Sequence, residues 1–103
     1  MSKHDWKVYC KKLAQWQERY IEVLIEEYGK IINDGTQLAS DKFWQLEKRI
    51  RKDRKHPGVV IEVRRSDAIL NIVYFYRAGM ISEADLEGFS EDLQDIVHSL
   101  CAP

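Results

Sequence analysis

Apolar side chains recur at steps of three and four through the first third of the chain. Trp6, Cys10, Leu13, Tyr20, Leu24, Tyr28 and Ile31 fall on that ladder with Gln17 as its one polar rung, and Trp16, Ile21 and Val23 widen it. This is the period of a helix with one apolar side, and it predicts a helix over residues 3–33, ~45 Å long at 1.5 Å per residue. Glu26 and Lys30 add a favourable i,i+4 pair on the outer side. The aromatic members Trp6, Tyr9, Trp16, Tyr20 and Tyr28 are expected in the core. Asn33-Asp34-Gly35 then supplies a stop, with Gly35 suited to a left-handed C′ position.

A second helix is predicted over residues 40–55, capped by Ser40 or Asp41. Phe43, Leu46 and Ile50 share one face, with Trp44 beside them. The apolar pattern stops at Ile50, and the chain continues through Arg51-Lys52-Asp53-Arg54-Lys55 to His56-Pro57-Gly58. Val59 to Val63 is β-branched enough for a short strand. No second strand is available to pair with it, and Pro57 suits the first turn of a helix. The preferred reading is therefore a helix over 57–78 with a break near Arg65-Ser66. Its residues Val59, Val63, Ile69, Leu70, Ile72, Val73 and Tyr76 fall on more than one side, as in the central helix of a bundle.

Local stop and start signals are clearest at residues 79–86. Gly79 suits C′ of one helix, Ser82 the N-cap of the next, and Asp85 its N3 partner in a capping box with Asp for the usual Glu; Ile81 can staple onto Leu86. A last helix is predicted over 82–100 through Leu86, Phe89, Leu93, Ile96, Val97 and Leu100. The expected architecture is all-α: a four-helix bundle-like single domain over residues 1–103 with a long N-terminal helix. The other helices are shorter than the first, so either the second and third stack along it or a second copy covers its excess, and a homodimer through helix 1 is the expectation.

Composition narrows the classes. A chain of 103 residues suits one domain, and 45% apolar with 32% charged residues marks a globular rather than a disordered chain. Five glycines and two prolines are too few for a turn-rich sandwich or barrel. Cys10 and Cys101 form neither a disulfide framework nor a CxxC pair, and free thiols in a reducing compartment are expected. The start MSKHDWKVYC has no apolar leader stretch, and the uncharged run 68–76 falls far short of the ~20 residues a membrane span needs. A cytoplasmic location without membrane association is the expectation.

Charge changes the picture more. The net charge is only −1, but it is unevenly placed. Within residues 42–65, nine basic side chains (Lys42, Lys48, Arg49, Arg51, Lys52, Arg54, Lys55, Arg64, Arg65) stand against three acidic ones, a net of +6. Residues 82–103 carry Glu83, Asp85, Glu87, Glu91, Asp92 and Asp95 with no Lys or Arg, a net of −6. Two helices joined by the short turn at 79–81 invite a helix-turn-helix reading, but the second helix would bring carboxylates to phosphates and could not donate to guanine. That reading is excluded at this site. The candidate partner-binding residues are the basic set Lys48, Arg49, Arg51, Lys52, Arg54, Lys55, Arg64 and Arg65, and the acidic set Glu83, Glu87, Glu91, Asp92 and Asp95. The two sets could also satisfy each other, within one chain or across a dimer.

Catalytic chemistry finds little footing. Asp95 and His98 at i,i+3, with Glu91 before them, resemble half of a bundle metal site, but no second Glu-x-x-His exists. Helical pyrophosphohydrolases hold magnesium with paired Glu-x-x-Glu motifs; here Glu22 and Glu26 are four apart and only Asp92 and Asp95 are three apart. No Gly-rich phosphate loop, nucleophile elbow or Cys-His pairing is present. No catalytic residue, metal ligand or cofactor is assigned. The leading expectation is a small non-catalytic interaction or regulatory protein that binds another macromolecule, a protein partner first, through helical surfaces. The alternatives are nucleic-acid binding through the basic segment 48–65 and, more weakly, a metal-dependent helical hydrolase built on Glu22, Glu26, Asp92 and Asp95.

Overall fold

The structure, a computed structural model, describes residues 1–56, 58–59 and 63–102. In chain order its elements are α1 (Lys3–Ile32), α2 (Ala39–Asp53), a 3-10 turn (Arg65–Asp67) that leads into α3 (Ala68–Arg77), α4 (Glu83–Leu86) and α5 (Glu91–Cys101). Among the described residues there is no strand, and the all-α expectation stands. In place of the expected four helices with a long first one, the described residues form five, again with the first the longest. They are distributed over two compact units, one of Met1–Trp16 with Glu62–Pro103 and one of Gln17–Ile61. α1 contributes its first half to the former and its second half to the latter.

The first unit has a dense apolar centre. Tyr9, Leu13 and Trp16 from α1 are buried with Ala68, Ile72, Val73 and Phe75 from α3 and Leu93 and Val97 from α5. Trp16 sits edge-on to Phe75 at 5.8 Å and lies 6.4 Å from both Tyr9 and Phe89, the offset geometry that aromatic quadrupoles favour. α3 packs beside α5 but buries essentially one side: Leu70 is 66% exposed and Tyr74 is exposed too, so α3 is not the fully enclosed central helix its composition suggested.

The turn after α3 follows the sequence signals closely. Gly79 adopts φ +73. Its N–H reaches the carbonyl of Tyr76 at 3.2 Å, and the N–H of Met80 reaches that of Phe75 at 2.9 Å, the paired bonds of a Schellman ending. Ser82 and Asp85 form the capping box, the Asp85 carboxylate accepting from the Ser82 N–H at 2.8 Å. Ile81 and Leu86 are both buried, as a staple requires.

Other boundaries differ from expectation, each for a local reason. The helix expected over 82–100 is two helices, because Gly88 turns the chain at φ +95 and Ser90 starts a new N-terminus by accepting the N–H of Leu93 at 3.3 Å. The helix expected over 57–78 begins at Arg65–Asp67: Gly58 and Val59 lie in a turn, Val63 and Arg64 are irregular, and residues 57 and 60–62, on which the strand-or-helix question for 59–63 partly falls, lie outside the described residues. Gly35 has no positive φ; the stop after α1 is instead an Asx turn in which the Asp34 carboxylate accepts the Thr36 N–H at 2.9 Å and hydroxyl at 2.6 Å. α2 starts one residue before Ser40, with Leu38 at the N-cap and no side-chain cap. Asp41 serves in the first turn, where the helix dipole favours an anion, and the helix ends at Asp53 rather than 55.

Candidate partner-binding groove

The second unit is built differently. Leu24 is its one buried hydrophobic residue among those described. α2 is tied to the second half of α1 by Lys42, Arg49 and Asp53, steps of seven and four that are all polar. Lys42 donates to the carbonyl of Ile32 at 3.0 Å, satisfying a C-terminal group of α1. Arg49 donates to Glu27 through Nη2 and to Asp53 through Nε at 3.0 Å, while its guanidinium lies 5.9 Å from the centre of the Tyr28 ring. Tyr28 donates its hydroxyl to Asp53 at 2.5 Å. Asp53 is 8% exposed, a buried carboxylate made tolerable by these two donors. Burial, and then the bond to Asp53, pushes the Tyr28 phenol up to about 12. The Arg49 guanidinium is raised further, chiefly by Glu27. Beyond α2, the His56 ring stacks on Tyr20 at 4.3 Å and accepts the Gly58 N–H at Nδ1, 2.9 Å away; burial depresses its pKa, with Asp53 opposing.

Because polar side chains make this seam, the apolar residues of α2 are turned aside from it. Phe43 is 63% exposed, Trp44 packs edge-on against it at 5.0 Å with 64% exposure, and Ile50 is exposed as well. Phe43, Leu46 and Ile50, with Glu47, Arg51 and Arg54, line an open groove of about 390 Å³. A second hollow of about 220 Å³ shares Ile50 and Arg54 and is completed from α1 by Ile21, Leu24, Ile25 and Tyr28, an almost wholly apolar lining. The sequence placed these side chains on a common face but assigned the face to the core; the structure leaves it open.

The basic set is unequal in its commitments. Arg49 is held by Glu27 and Asp53, and Arg51 pairs with Glu47 one turn earlier. Lys48, Lys52, Arg54 and Lys55 are exposed and, within their unit, make no ion pair among the described residues. Arg64 and Arg65 belong to the other unit, where Arg65 donates to the carbonyl of Met1 at 2.8 Å. The acidic set divides likewise. Glu83 accepts from Tyr76 at 2.5 Å and from His98 at 2.6 Å, and these bonds hold its carboxyl below the usual range. Glu87, Glu91, Asp92 and Asp95 are exposed without an ion pair in their unit among the described residues.

Among the described residues, no three of His, Cys, Asp and Glu converge on a point that could hold a metal ion. Glu22 and Glu26 lie exposed in the second unit, Asp92 and Asp95 exposed in the first. Cys10 is exposed and Cys101 half-buried, both unpaired. No helix among the described residues is long and apolar enough to cross a membrane. No family model, curated protein or solved structure matches the chain.

Two features escaped sequence reasoning. The Tyr28–Asp53–Arg49–Glu27 seam has no motif, since its members lie on two helices and only the Arg49–Asp53 spacing of four hints at it. In the first unit, Asp5 is 3% exposed and accepts from Ser90 through both the backbone N–H (2.7 Å) and the hydroxyl (2.6 Å). Here a signal existed: Ser2-Lys3-His4-Asp5 repeats the Ser-x-x-Asp spacing of Ser82 to Asp85, and Ser2 does accept the Asp5 N–H at 3.1 Å.

Proposed function

We propose that this chain is a small interaction protein that receives an amphipathic helix of its partner in the groove on α2. One observation carries the reading: the largest apolar side chains of α2 are exposed beside a seam made of polar ones, so their burial is left for a partner. Such a groove takes a helix by its apolar stripe, with anchors spaced three and four apart. Arg54, which lines both hollows and makes no ion pair in its unit among the described residues, favours carboxylates beside that stripe, and Lys48, Lys52 and Lys55 add a positive field that steers an acidic segment in.

The test is a titration with a synthetic helical peptide carrying leucines at that spacing and glutamates between them, read from the tryptophan emission to which exposed Trp44 contributes beside Trp6 and Trp16, against a matched lysine peptide. The acidic peptide should bind with a blue shift, the lysine peptide should not, and Phe43→Ala should weaken binding about 10-fold or more, as expected for a central aromatic anchor. Equal affinity for both peptides, or indifference to Phe43→Ala, overturns the reading.

A second reading draws on Lys48 and Lys52, exposed one turn apart on α2, and Lys55, exposed in the turn that follows, which could together follow a phosphate backbone. With Arg49 and Arg51 already paired, it has four cations of residues 48–55 to work with rather than six. It predicts binding of single- or double-stranded nucleic acid that falls steeply with salt and is lost on reversing those three lysines.

A further inference from the structure

We infer that the groove on α2 is filled by α5 of a second copy of this chain, a reading that rests on the docking role proposed above. α5 has the chemistry the groove asks for. Ile96 and Leu100 stand one turn apart and are 43% and 49% exposed, with Asp92 and Asp95 beside them, and no Lys or Arg occurs from residue 82 onward. In a single chain both faces are therefore exposed: the apolar face of α2 and the apolar-acidic face of α5.

The charges left over also match. On and just after α2, Lys48, Lys52, Arg54 and Lys55 make no ion pair in their unit among the described residues; on α5 and the link before it, Glu87, Glu91, Asp92 and Asp95 likewise make none in theirs. Lengths agree as well. The eleven residues of α5 extend ~16 Å, about the axial distance from Phe43 to Arg54 along α2. One copy offers one groove and one α5, so two copies pair reciprocally. Reciprocal pairing of this kind would fill both grooves, and it is the twofold arrangement in which like contacts do not run on into a filament.

The experiment is sedimentation equilibrium of the wild-type chain and two charge-reversal variants, Arg54→Glu/Lys55→Glu and Asp92→Lys/Asp95→Lys, all at exposed positions and checked for helicity by circular dichroism. The wild type should reach twice its 12.2 kDa mass, less readily at high salt. Each variant alone should self-associate about 10-fold or more weakly. An equimolar mixture of the two should recover dimer, because each reversed groove then meets a reversed α5; a misfolded variant cannot recover in this way. Phe43→Ser, which leaves the charges alone, should also dissociate the dimer.

A wild type that stays monomeric up to about 1 mM, or a dimer indifferent to both reversals, overturns the inference. Mixing without recovery does so as well. The acidic-peptide titration separates the two levels. Docking at Phe43 on a monomeric chain leaves the groove's role standing with another occupant. A monomer that ignores the peptide ends both.

Discussion

Replacing Asp5 by Ala tests whether one buried carboxylate ties α1 to the start of α5 within the first unit. Asp5 accepts two hydrogen bonds from Ser90, at 2.7 Å from the N–H and 2.6 Å from the hydroxyl, and that same hydroxyl accepts the Leu93 N–H at 3.3 Å. The carboxylate thus acts through Ser90 on the N-terminus of α5, where an anion is also favoured by the helix dipole. A hydrogen bond to a charged group contributes about 1.5–3 kcal/mol. Ser90 is half-buried, so water recovers part of the loss in the variant.

The expected cost of Asp5→Ala is about 2–4 kcal/mol, a large part of the ~5–15 kcal/mol that holds a typical domain. It corresponds to a fall in Tm on the order of 10–20 °C for a chain of this size. Urea titration followed by circular dichroism measures it. The acid limb gives an independent check. Burial would by itself raise the Asp5 pKa, but the bonds from the Ser90 hydroxyl and N–H, with Ser2, outweigh it and hold the carboxyl below its ordinary 3.8. A depressed carboxyl pKa stabilises the fold above about 3.8, and that contribution is lost as pH falls from there through the folded-state value. Asp5→Asn carries no such titration, so its deficit against wild type should shrink over the same window. A change under about 0.5 kcal/mol for Asp5→Ala, or a deficit for Asp5→Asn that does not vary with pH, would refute this account.

Gly88→Ala should cost about 1–2 kcal/mol by thermal melting. An added Cβ would meet only Val8 and Lys12 at ordinary distances of 3.8 and 3.9 Å, so the φ of +95 sets that cost and Gly88→Asn should be the milder change. The Tyr28 phenol should ionise near pH 12 in an ultraviolet titration. Since that raised value favours the neutral form in the fold, its contribution should fade as pH climbs from about 10 toward 12, and Tyr28→Phe should remove the late step. Protonating His56 removes the lone pair that accepts the Gly58 N–H, and its depressed pKa means stability falls as pH drops from about 6.5 through the folded-state value. An NMR titration should place the His56 midpoint below 6.5, and a midpoint above it would refute the assignment.

Local grammar made much of the helical layout legible. The three-and-four ladder from Trp6 to Ile31 marks α1, because a helix displays every third or fourth residue on one side whatever surrounds it. Gly79, Ser82 and Asp85 marked a stop and a start, because those bonds close within a few residues of each other. The same grammar is present at Ser2 to Asp5 and at Gly88 to Ser90, where the apolar spacing from Leu86 to Leu100 runs straight across the break and hides it. At residues 57–67 the β-branched run fitted helix and strand alike, and periodicity alone cannot separate them over so few positions.

The candidate site was legible only as an inventory. Periodicity and the order of charges by themselves determined an all-helical chain with a basic middle and an acidic end, and periodicity placed Phe43, Leu46 and Ile50 on one face. Only the tertiary structure decided that this face stays open. α2 can meet α1 through its apolar stripe or through Lys42, Arg49 and Asp53, which lie beside that stripe, and the helical period allows either. What selects the polar seam is a set of partners far along the chain: Glu27 for Arg49, Tyr28 for Asp53 and the carbonyl of Ile32 for Lys42. Once those groups are paired, breaking the seam would strand the buried Asp53 carboxylate, and so the stripe faces outward. Pairings of that range have no signature in spacing, because they depend on where two helices lie in space and not on how either is written.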